Sequence, residues 1–366
     1  MNKENKMKIN LFEPYIDKSE ERAVLDVLRK KFWASGSGIG FVGKFEKEFK
    51  KYVGSDETVA VNSGTAALNI AISLLDVKGK EVILPSLSFV STANCILMNG
   101  GKPKFADINP ETLCIEPDGI KKLITKKTKA IIPVHFGGMA CDMKTILEIS
   151  QKYNIKVIED AAHATGSVFN KRKIGSHGFA VCFSFHPVKN LAMPTGGLIA
   201  INGENHKDFR KRADAIRWCG ITDRKDDNYE IKEIGNNYYM NEISAVIGIE
   251  QLKKLEKMNS VRKKIAKRYF SEIKLNEKMP YTNNCSYHLY WICVKNREKL
   301  RRELGMKGIQ TGTHYRPIHK FKLYKKNLSL PITELTGKQI ITLPMHPNLT
   351  EKEIDRIISV INKFTK

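Results

Sequence analysis

The sequence predicts an α/β fold with a mainly parallel sheet that is covered by helices on both faces. Between residues 57 and 202, short runs of β-branched and apolar residues alternate with helix-like segments, a pattern typical of parallel sheets. Near residue 240 the pattern changes, and a long amphipathic stretch leads into a mixed segment. We therefore expect a large α/β domain over residues 1–245 and a smaller α+β domain over residues 246–366.

The individual elements follow from the length and composition of each run. Runs of four to eight residues rich in Val, Ile and Thr predict strands, which are expected at Thr58–Val61, Glu81–Leu84, Ala130–Val134, Lys156–Asp160, a run ending at Ser184, Leu198–Ile201 and Tyr287–Val294. Longer segments with apolar residues at helical spacing predict helices at Ser19–Lys31, Thr65–Leu75, Phe89–Met98, Met143–Tyr153, Asn241–Ser271 and Glu351–Phe364. In an open parallel sheet, chemistry takes place at the carboxyl ends of the strands.

The charge of the chain restricts its partners. Lys and Arg outnumber Asp and Glu by 62 to 39, which gives a net charge of +23 and suits nucleic acid, an anionic membrane or an acidic substrate. The basic residues are scattered among acids, with no arginine-rich tract and no interleaved aromatic stripe, so no nucleic-acid partner is expected. No uninterrupted apolar run approaches the ~20 residues of a membrane span. We therefore expect no membrane partner.

Cysteine usage indicates the compartment. The seven cysteines include no C-x-x-C pair, so neither a zinc ribbon nor a disulfide framework is indicated. The polar first ten residues lead into no apolar stretch, unlike a secretory leader. These features predict a cytoplasmic protein.

An anion site is predicted where the strand Thr58–Val61 runs into Asn62–Leu68 (NSGTAAL). A glycine and a small hydroxyl residue that open a helix after a strand leave backbone N–H groups free, and the helix dipole also attracts an anion. An ordinary helix N-cap is the alternative interpretation.

A carboxylate pair, Glu159 and Asp160, ends the predicted strand Lys156–Asp160, and His163 follows three residues later. Such an acid could cap a helix, bind a metal or neutralise a cationic ring nitrogen. No second cluster of histidine and carboxylate has the spacing of a known metal motif, so no metal is expected.

Lys189 lies in a turn that follows the apolar run ending at Ser184. An amine nucleophile held beside a sheet edge is what Schiff-base chemistry requires. Because lysine is abundant in this chain, a solvated surface lysine is the alternative.

Taken in order, these pieces resemble the DegT/DnrJ/EryC1/StrS family of pyridoxal-phosphate (PLP) enzymes, the nucleotide-sugar aminotransferases with the aspartate-aminotransferase fold (fold type I). The resemblance rests on NSGTAAL at 62–68, EDAAH at 159–163, SFHPVKN at 184–190 and GNNYYM at 235–240. It implies transfer of an amino group from an amino acid, glutamate, to a nucleotide-diphosphate 4-keto-6-deoxy sugar. The product would serve a surface polysaccharide such as lipopolysaccharide O-antigen, or another glycoconjugate.

The resemblance also assigns roles to residues. It makes Lys189 the lysine bonded to the cofactor, and Asp160 the partner of the pyridine nitrogen, whose protonation makes the ring an electron sink. Phe89 and His163 would pack on opposite ring faces. The cofactor phosphate would be held by Gly64, Thr65, Ala66 and Ser184, and by Asn237 of a second subunit in a homodimer with shared sites.

The chain departs from the family pattern at three places, of which the first and third lie at or near the expected sugar pocket and bear on substrate identity. Pro194-Thr195-Gly196-Gly197 replaces a more acidic Gly-rich stretch, Tyr239 replaces a common arginine, and residues 35–40 are unusually rich in glycine. His163 resembles relatives that act at C4 of the sugar, whereas those acting at C3 often have glutamine there.

Four other functions compete with this one. The first is a nicotinamide-dependent dehydrogenase, because residues 38–43 satisfy the dinucleotide fingerprint G-x-G-x-x-G. This fingerprint should follow a strand, whereas here it follows the helical stretch Ser19–Lys31. A 3-keto sugar aminotransferase is the nearest alternative. A sugar dehydratase of the family has histidine where this chain has Lys189. A non-catalytic regulator should have lost some of Asp160, Ser184 and Lys189, and all three are present.

Overall fold

The computed structural model describes residues 8–325 and 327–364. Within them the strands, in chain order, are β1 (Glu57–Val61), β2 (Glu81–Pro85), β3 (Lys102–Ala106), β4 (Thr128–Ile131), β5 (Lys156–Asp160), β6 (Val168–Phe169), β7 (Arg172–Lys173), β8 (Ala180–Ser184), β9 (Gly197–Ile201), β10 (Ile221–Lys225), β11 (Asn228–Ile231), β12 (Tyr290–Cys293) and β13 (Ile340–Leu343). The α-helices are α1 (Lys18–Lys30), α2 (Phe41–Val53), α3 (Gly64–Ser73), α4 (Ser91–Met98), α5 (Pro117–Leu123), α6 (Met143–Tyr153), α7 (His206–Arg217), α8 (Glu242–Glu272), α9 (Arg297–Met306), α10 (Pro331–Gln339) and α11 (Glu351–Phe364).

The central sheet has the strand order β1-β9-β8-β5-β4-β2-β3. Strands β2, β3, β4, β5 and β8 are parallel, whereas β9 runs antiparallel to both of its neighbours. The other six strands therefore share one direction, and their carboxyl ends meet at one edge. The predicted mainly parallel sheet is confirmed.

Both faces of this sheet are buried. In β1, for example, Val59 and Val61 belong to one apolar cluster, whereas Ala60 belongs to another, because successive side chains point to opposite faces of a strand. Helix α3 contacts β8 and β9, and α2 contacts β1. These helices exclude water from the two faces and leave the carboxyl edge open.

The predicted bounds of α6, β5 and α11 are confirmed residue for residue. Two strands are shorter than predicted. β4 ends at Ile131 because Pro133 has no N–H to donate to the ladder, although its carbonyl accepts a hydrogen bond from the Asp160 amide at 2.9 Å. The predicted strand Tyr287–Val294 begins only at Tyr290, because Tyr287 has a φ of +50°, which interrupts extended backbone.

The C-terminal part is built on α8, which is 31 residues long, and on the antiparallel pair of β12 and β13. The first described residues also pack here, because the Ile9 amide donates to the Gly308 carbonyl at 2.7 Å. The predicted domain boundary at residue 245 falls inside α8 and stays a prediction. Among the described residues, no helix combines the length and apolarity needed to cross a membrane.

The glycine-rich stretch 38–43 does not form a dinucleotide site. It leads into α2, and the amides of Phe41 and Val42 donate to the Glu242 carboxylate at 2.6 and 3.3 Å. A carboxylate of the same chain thus occupies the helix N-terminus where this motif would hold a pyrophosphate. In the described part of the chain, the element before the motif is α1 rather than a strand.

Candidate functional site

A cavity of about 450 Å³ opens at the carboxyl edge of the sheet. The fold brings seven of the predicted site residues to its wall: Gly64, Thr65, Phe89, Asp160, His163, Ser184 and Lys189. They come from the ends of β1, β5 and β8, from the turn after β8 and from the loop before α4. Chain segments separated by more than 100 residues therefore contribute to one cavity.

The N-terminus of α3 forms one wall. Ser63 is its N-cap, and the Ser63 hydroxyl accepts a hydrogen bond from the Ala66 amide at 3.1 Å. Ser63 therefore acts as an ordinary helix N-cap, which was the alternative interpretation of this motif. The Gly64 and Thr65 amides lie in the same first turn, where N–H groups have no acceptor within the helix. The predicted anion site thus remains open at Gly64 and Thr65, whereas the Ala66 amide is engaged by Ser63.

Close packing explains the glycine at position 64. A Cβ atom added there would lie 2.7 Å from the Cβ atom of Ser184, so any side chain would push β8 away from α3. The same approach places the Ser184 hydroxyl beside the helix N-terminus. Two of the predicted phosphate ligands are therefore adjacent.

Asp160 is buried at the end of β5. Its Oδ2 accepts a hydrogen bond from the Thr92 hydroxyl at 2.8 Å, and its Oδ1 accepts one from the Ala162 amide at 3.2 Å. Burial raises the pKa of Asp160, and these two hydrogen bonds and the charge of Lys189 oppose that rise. The carboxylate is thus held as an acceptor facing the cavity.

Lys189 is half-buried, and its turn is closed by a hydrogen bond from its amide to the His186 carbonyl at 2.8 Å. Burial lowers the pKa of the Lys189 amine to about 8, although the negative charge of Asp160 opposes this shift. A lowered pKa leaves a larger neutral fraction, which is the nucleophilic form of an amine. Lys189 is not an ordinary surface lysine.

His163 is fixed by two contacts. The Gly137 amide donates to its Nδ1 at 3.2 Å, and its Nε2 lies 3.2 Å from the Tyr315 hydroxyl oxygen. Because an amide can only donate, Nδ1 accepts, and a neutral ring carries its proton on Nε2. Burial, reinforced by the charge of Lys189, lowers the pKa of His163 well below its ordinary value. The ring is therefore neutral, and its N–H points at Tyr315.

Phe89 lies at the cavity mouth and is 56% exposed, which is high for a phenylalanine of the core. Its ring centroid lies 6.0 Å from that of Tyr315. Asn237 is exposed and outside this cavity, although its carbonyl accepts a hydrogen bond from the side chain of Asn62, a wall residue, at 3.2 Å. Asn237 therefore lies next to its own chain's site without lining it.

Sequence reasoning missed four residues of the site: Thr92, His288, His314 and Tyr315. His314 and Tyr315 line the cavity, Thr92 contacts Asp160, and Nε2 of His288 lies 3.4 Å from Nζ of Lys189. Thr92 lies three residues after Phe89, and His288, His314 and Tyr315 lie in the C-terminal part of the chain, but none of the four belongs to a recognised motif, so the sequence carries no local signal for them.

The sequence model of the DegT/DnrJ/EryC1/StrS aminotransferase family matches residues 14–362. The chain belongs to this family. It is therefore a PLP-dependent sugar aminotransferase, as the resemblance implied.

Solved structures agree with membership of the family. PseC from Helicobacter pylori, described as an aminotransferase of pseudoaminic acid biosynthesis, is 28% identical with a TM-score of 0.90, covering 97% of this chain and 98% of that chain. The aminotransferase TlmJ from Streptoalloteichus hindustanus has the same identity, coverage and TM-score. NtdA from Bacillus subtilis, solved with the cofactor pyridoxamine phosphate (PMP), is 31% identical with a TM-score of 0.86, covering 94% of this chain and 82% of that chain.

The residues of the cavity fit the family's cofactor. The open helix N-terminus suits a phosphate, and the absence of a side chain at Gly64 lets Ser184 approach it closely. A buried carboxylate, Asp160, and an amine of lowered pKa, Lys189, face the same space. This donor set matches the phosphate, the ring nitrogen and the aldehyde of PLP.

Proposed function

We propose that this aminotransferase moves an amino group from glutamate to a nucleotide-diphosphate 4-keto-6-deoxy sugar. The observation that carries the proposal is that Lys189 and Asp160 face one cavity that also contains the N-terminus of α3. A nucleophilic amine, a carboxylate for a ring nitrogen and a phosphate site are what an aminotransferase of this cofactor requires.

PLP, when bound, supplies an electron sink that stabilises negative charge on the substrate carbon. The amine of Lys189 would anchor the cofactor and, when not bonded to it, would move a proton at the reacting carbon. Asp160 keeps the ring nitrogen protonated, and Gly64, Thr65 and Ser184 hold the phosphate. Phe89 and His163 would hold the ring between them.

The sugar acceptor is proposed from chemistry and similarity. The net charge of +23 favours an anionic diphosphate substrate. His163 supports amination at C4 of the sugar, because relatives that act at C3 often have glutamine at this position. The product is proposed to serve a surface polysaccharide such as O-antigen or another glycoconjugate, and PseC, described as acting in pseudoaminic acid biosynthesis, supports a glycan pathway.

We also propose a homodimer in which Asn237 contacts the cofactor phosphate of the other subunit. Asn237 is exposed and lies outside its own cavity. Large apolar side chains just before it in sequence are unusually exposed: Tyr229 at 53%, Ile231 at 56% and Ile234 at 97%. A second copy of the chain that covers these side chains would explain why apolar residues are exposed here.

We also propose a cytoplasmic location, where thiols stay reduced, which suits the seven cysteines.

The reaction is tested by incubating the purified protein with PLP and glutamate and a panel of UDP-, GDP- and dTDP-linked 4-keto-6-deoxy and 3-keto sugars. Amination of a 4-keto sugar, with release of 2-oxoglutarate, is the expected result. Lys189→Ala is the control and should give no product. Amination of 3-keto sugars alone, elimination of water from the sugar, or full activity of the control would contradict the proposal.

The shared site is tested by co-refolding equal amounts of an impaired variant, Asn237→Ala, and an inactive variant, Lys189→Ala. In a heterodimer of shared sites, one site carries both lesions and the other carries neither. If half of the dimers are mixed, roughly a quarter of wild-type activity should return. If purified heterodimers are no more active than the parent variants, Asn237 acts within its own chain and the shared-site proposal is wrong.

A further inference from the structure

His288 makes a contact with the reactive amine that the proposed function does not use. Its Nε2 lies 3.4 Å from Nζ of Lys189, across 99 residues of sequence. The side chain is 2% exposed, and its ring packs on that of His163 with the centroids 4.5 Å apart. It also stacks on Phe12 at 5.5 Å with an interplanar angle of 11°.

The hydrogen-bond roles in this contact follow from the groups involved. A protonated lysine has only donors, so Nε2 of His288 accepts and its Nδ1 carries the ring proton. Burial lowers the pKa of His288 well below its ordinary value, and the charge of Lys189 lowers it further. His288 therefore stays neutral, and it accepts a hydrogen bond without taking the proton.

The other ring nitrogen of His288 argues against a purely structural role. Nδ1 is buried and has no hydrogen-bond partner among residues 8–325 and 327–364. An unsatisfied buried donor destabilises a fold. A phenylalanine would fill the same space against Phe12 without that penalty, so folding alone does not explain a histidine here.

The segment around His288 is held rigidly against the lysine turn. The side chain of Asn190, the residue after Lys189, donates to the Ser286 carbonyl at 2.8 Å. On the other side, the Leu289 amide donates to the Gly137 carbonyl at 3.3 Å. Tyr287, between them, has a φ of +50°, a conformation that a bulky residue adopts only where its surroundings enforce it.

We propose that His288 is a positioning residue for Lys189: its Nε2 accepts a hydrogen bond from the lysine amine whenever that amine is not bonded to the cofactor, and holds it beside the reacting carbon. The inference rests on the proposed role of Lys189 and deepens it. An amine released into a partly buried site without an acceptor would be poorly solvated and free to rotate away. His288 supplies the acceptor and fixes the position.

The test measures the titration of Lys189 itself, without turnover. Cofactor-free protein is labelled with trace acetic anhydride over a range of pH, and acetylation of the Lys189 peptide is quantified by mass spectrometry. The wild-type midpoint is expected at about 8. Besides His288, the groups facing this amine are Asp160, His163, His186, His314 and Tyr315, and all of them remain in every variant used.

Three substitutions of His288 separate the acceptor from the ring. His288→Phe and His288→Asn should lower the midpoint by about 1 unit, because the acceptor that favours the charged amine is missing or too short to reach it. His288→Gln retains an acceptor at similar reach and should titrate like wild type. Phe12→Leu, which keeps the imidazole and loses only the stacking, should also titrate like wild type.

A second measurement reports on positioning. With cofactor bound, the single-turnover rate with glutamate should fall about tenfold or more in His288→Phe and recover in His288→Gln. A wild-type midpoint in both His288→Phe and His288→Asn would overturn the inference, as would an equal shift in Phe12→Leu. If His288→Phe does not fold, His288→Asn replaces it. Because labelling needs no substrate, a chain that fails to aminate sugars would still give a decisive result here.

Discussion

Replacing Thr92 with valine should weaken the site without changing its shape. The Thr92 hydroxyl lies 2.8 Å from Oδ2 of Asp160, 3.1 Å from the Phe89 carbonyl and 2.9 Å from the Ser88 hydroxyl. One hydroxyl hydrogen serves one strong acceptor, and the carboxylate is both the closer and the charged one. Ser88 then donates to Thr92, and Thr92 donates to Asp160. Valine is similar in shape to threonine and removes this donor together with the acceptor of the Ser88 hydroxyl.

The magnitude follows from the burial of the pair. A hydrogen bond to a charged group contributes about 1.5–3 kcal/mol, and one pKa unit corresponds to about 1.4 kcal/mol. Asp160 is only 5% exposed, so water cannot replace the missing donor. We expect Thr92→Val to raise the pKa of Asp160 by about 1–2 units and therefore to weaken PMP binding by about 10- to 100-fold on the acid side of the profile, where binding is limited by ionisation of Asp160.

The assay uses PMP, which forms no covalent bond to Lys189 and so reports non-covalent binding alone. Its dissociation constant is measured by equilibrium dialysis from acid to neutral pH. Binding requires ionised Asp160, so affinity is lost as pH falls through the pKa of that carboxyl. A raised pKa therefore moves the acid limb of the Thr92→Val profile to higher pH.

Thr92→Ser is the matched control, because it keeps the hydroxyl and loses the methyl group. It should bind PMP within a few-fold of wild type. Equal losses in Thr92→Ser and Thr92→Val would attribute the effect to packing. A Thr92→Val profile that superimposes on wild type would show that Thr92 does not tune Asp160.

Three further predictions concern residues that line the cavity. The wild-type protein should be yellow and bleach with glutamate, and Lys189→Ala should lack the visible band; an unchanged spectrum would mean that another lysine carries the cofactor. Asp160→Asn should keep the fold, checked by circular dichroism, and lose orders of magnitude in kcat; near-wild-type kinetics would remove Asp160 from the mechanism. Gly64→Val should weaken PMP binding about 100-fold or more, because its Cβ meets that of Ser184 at 2.7 Å and its branches cover the phosphate site; unchanged binding would move the phosphate elsewhere.

The sequence predicted the elements where the signal is local. The bounds of α6 and β5 could be assigned because hydrophobic period and strand length are properties of neighbouring residues. The motifs around Gly64, Asp160 and Lys189 could be recognised for the same reason, since each is one short segment at a strand end. The antiparallel direction of β9 was not predicted, because strand direction depends on where the chain returns in space.

The sequence by itself determined which residue types carry the chemistry: an amine, a carboxylate and a helix N-terminus after three strands. Only the tertiary structure decided which side chains surround them. Thr92, His288 and Tyr315 reach the site through contacts that span 68, 99 and 152 residues, respectively. The physical reason is that a hydrogen bond needs atoms within about 3.5 Å, and distances across a fold are set by the packing of whole elements rather than by any local pattern.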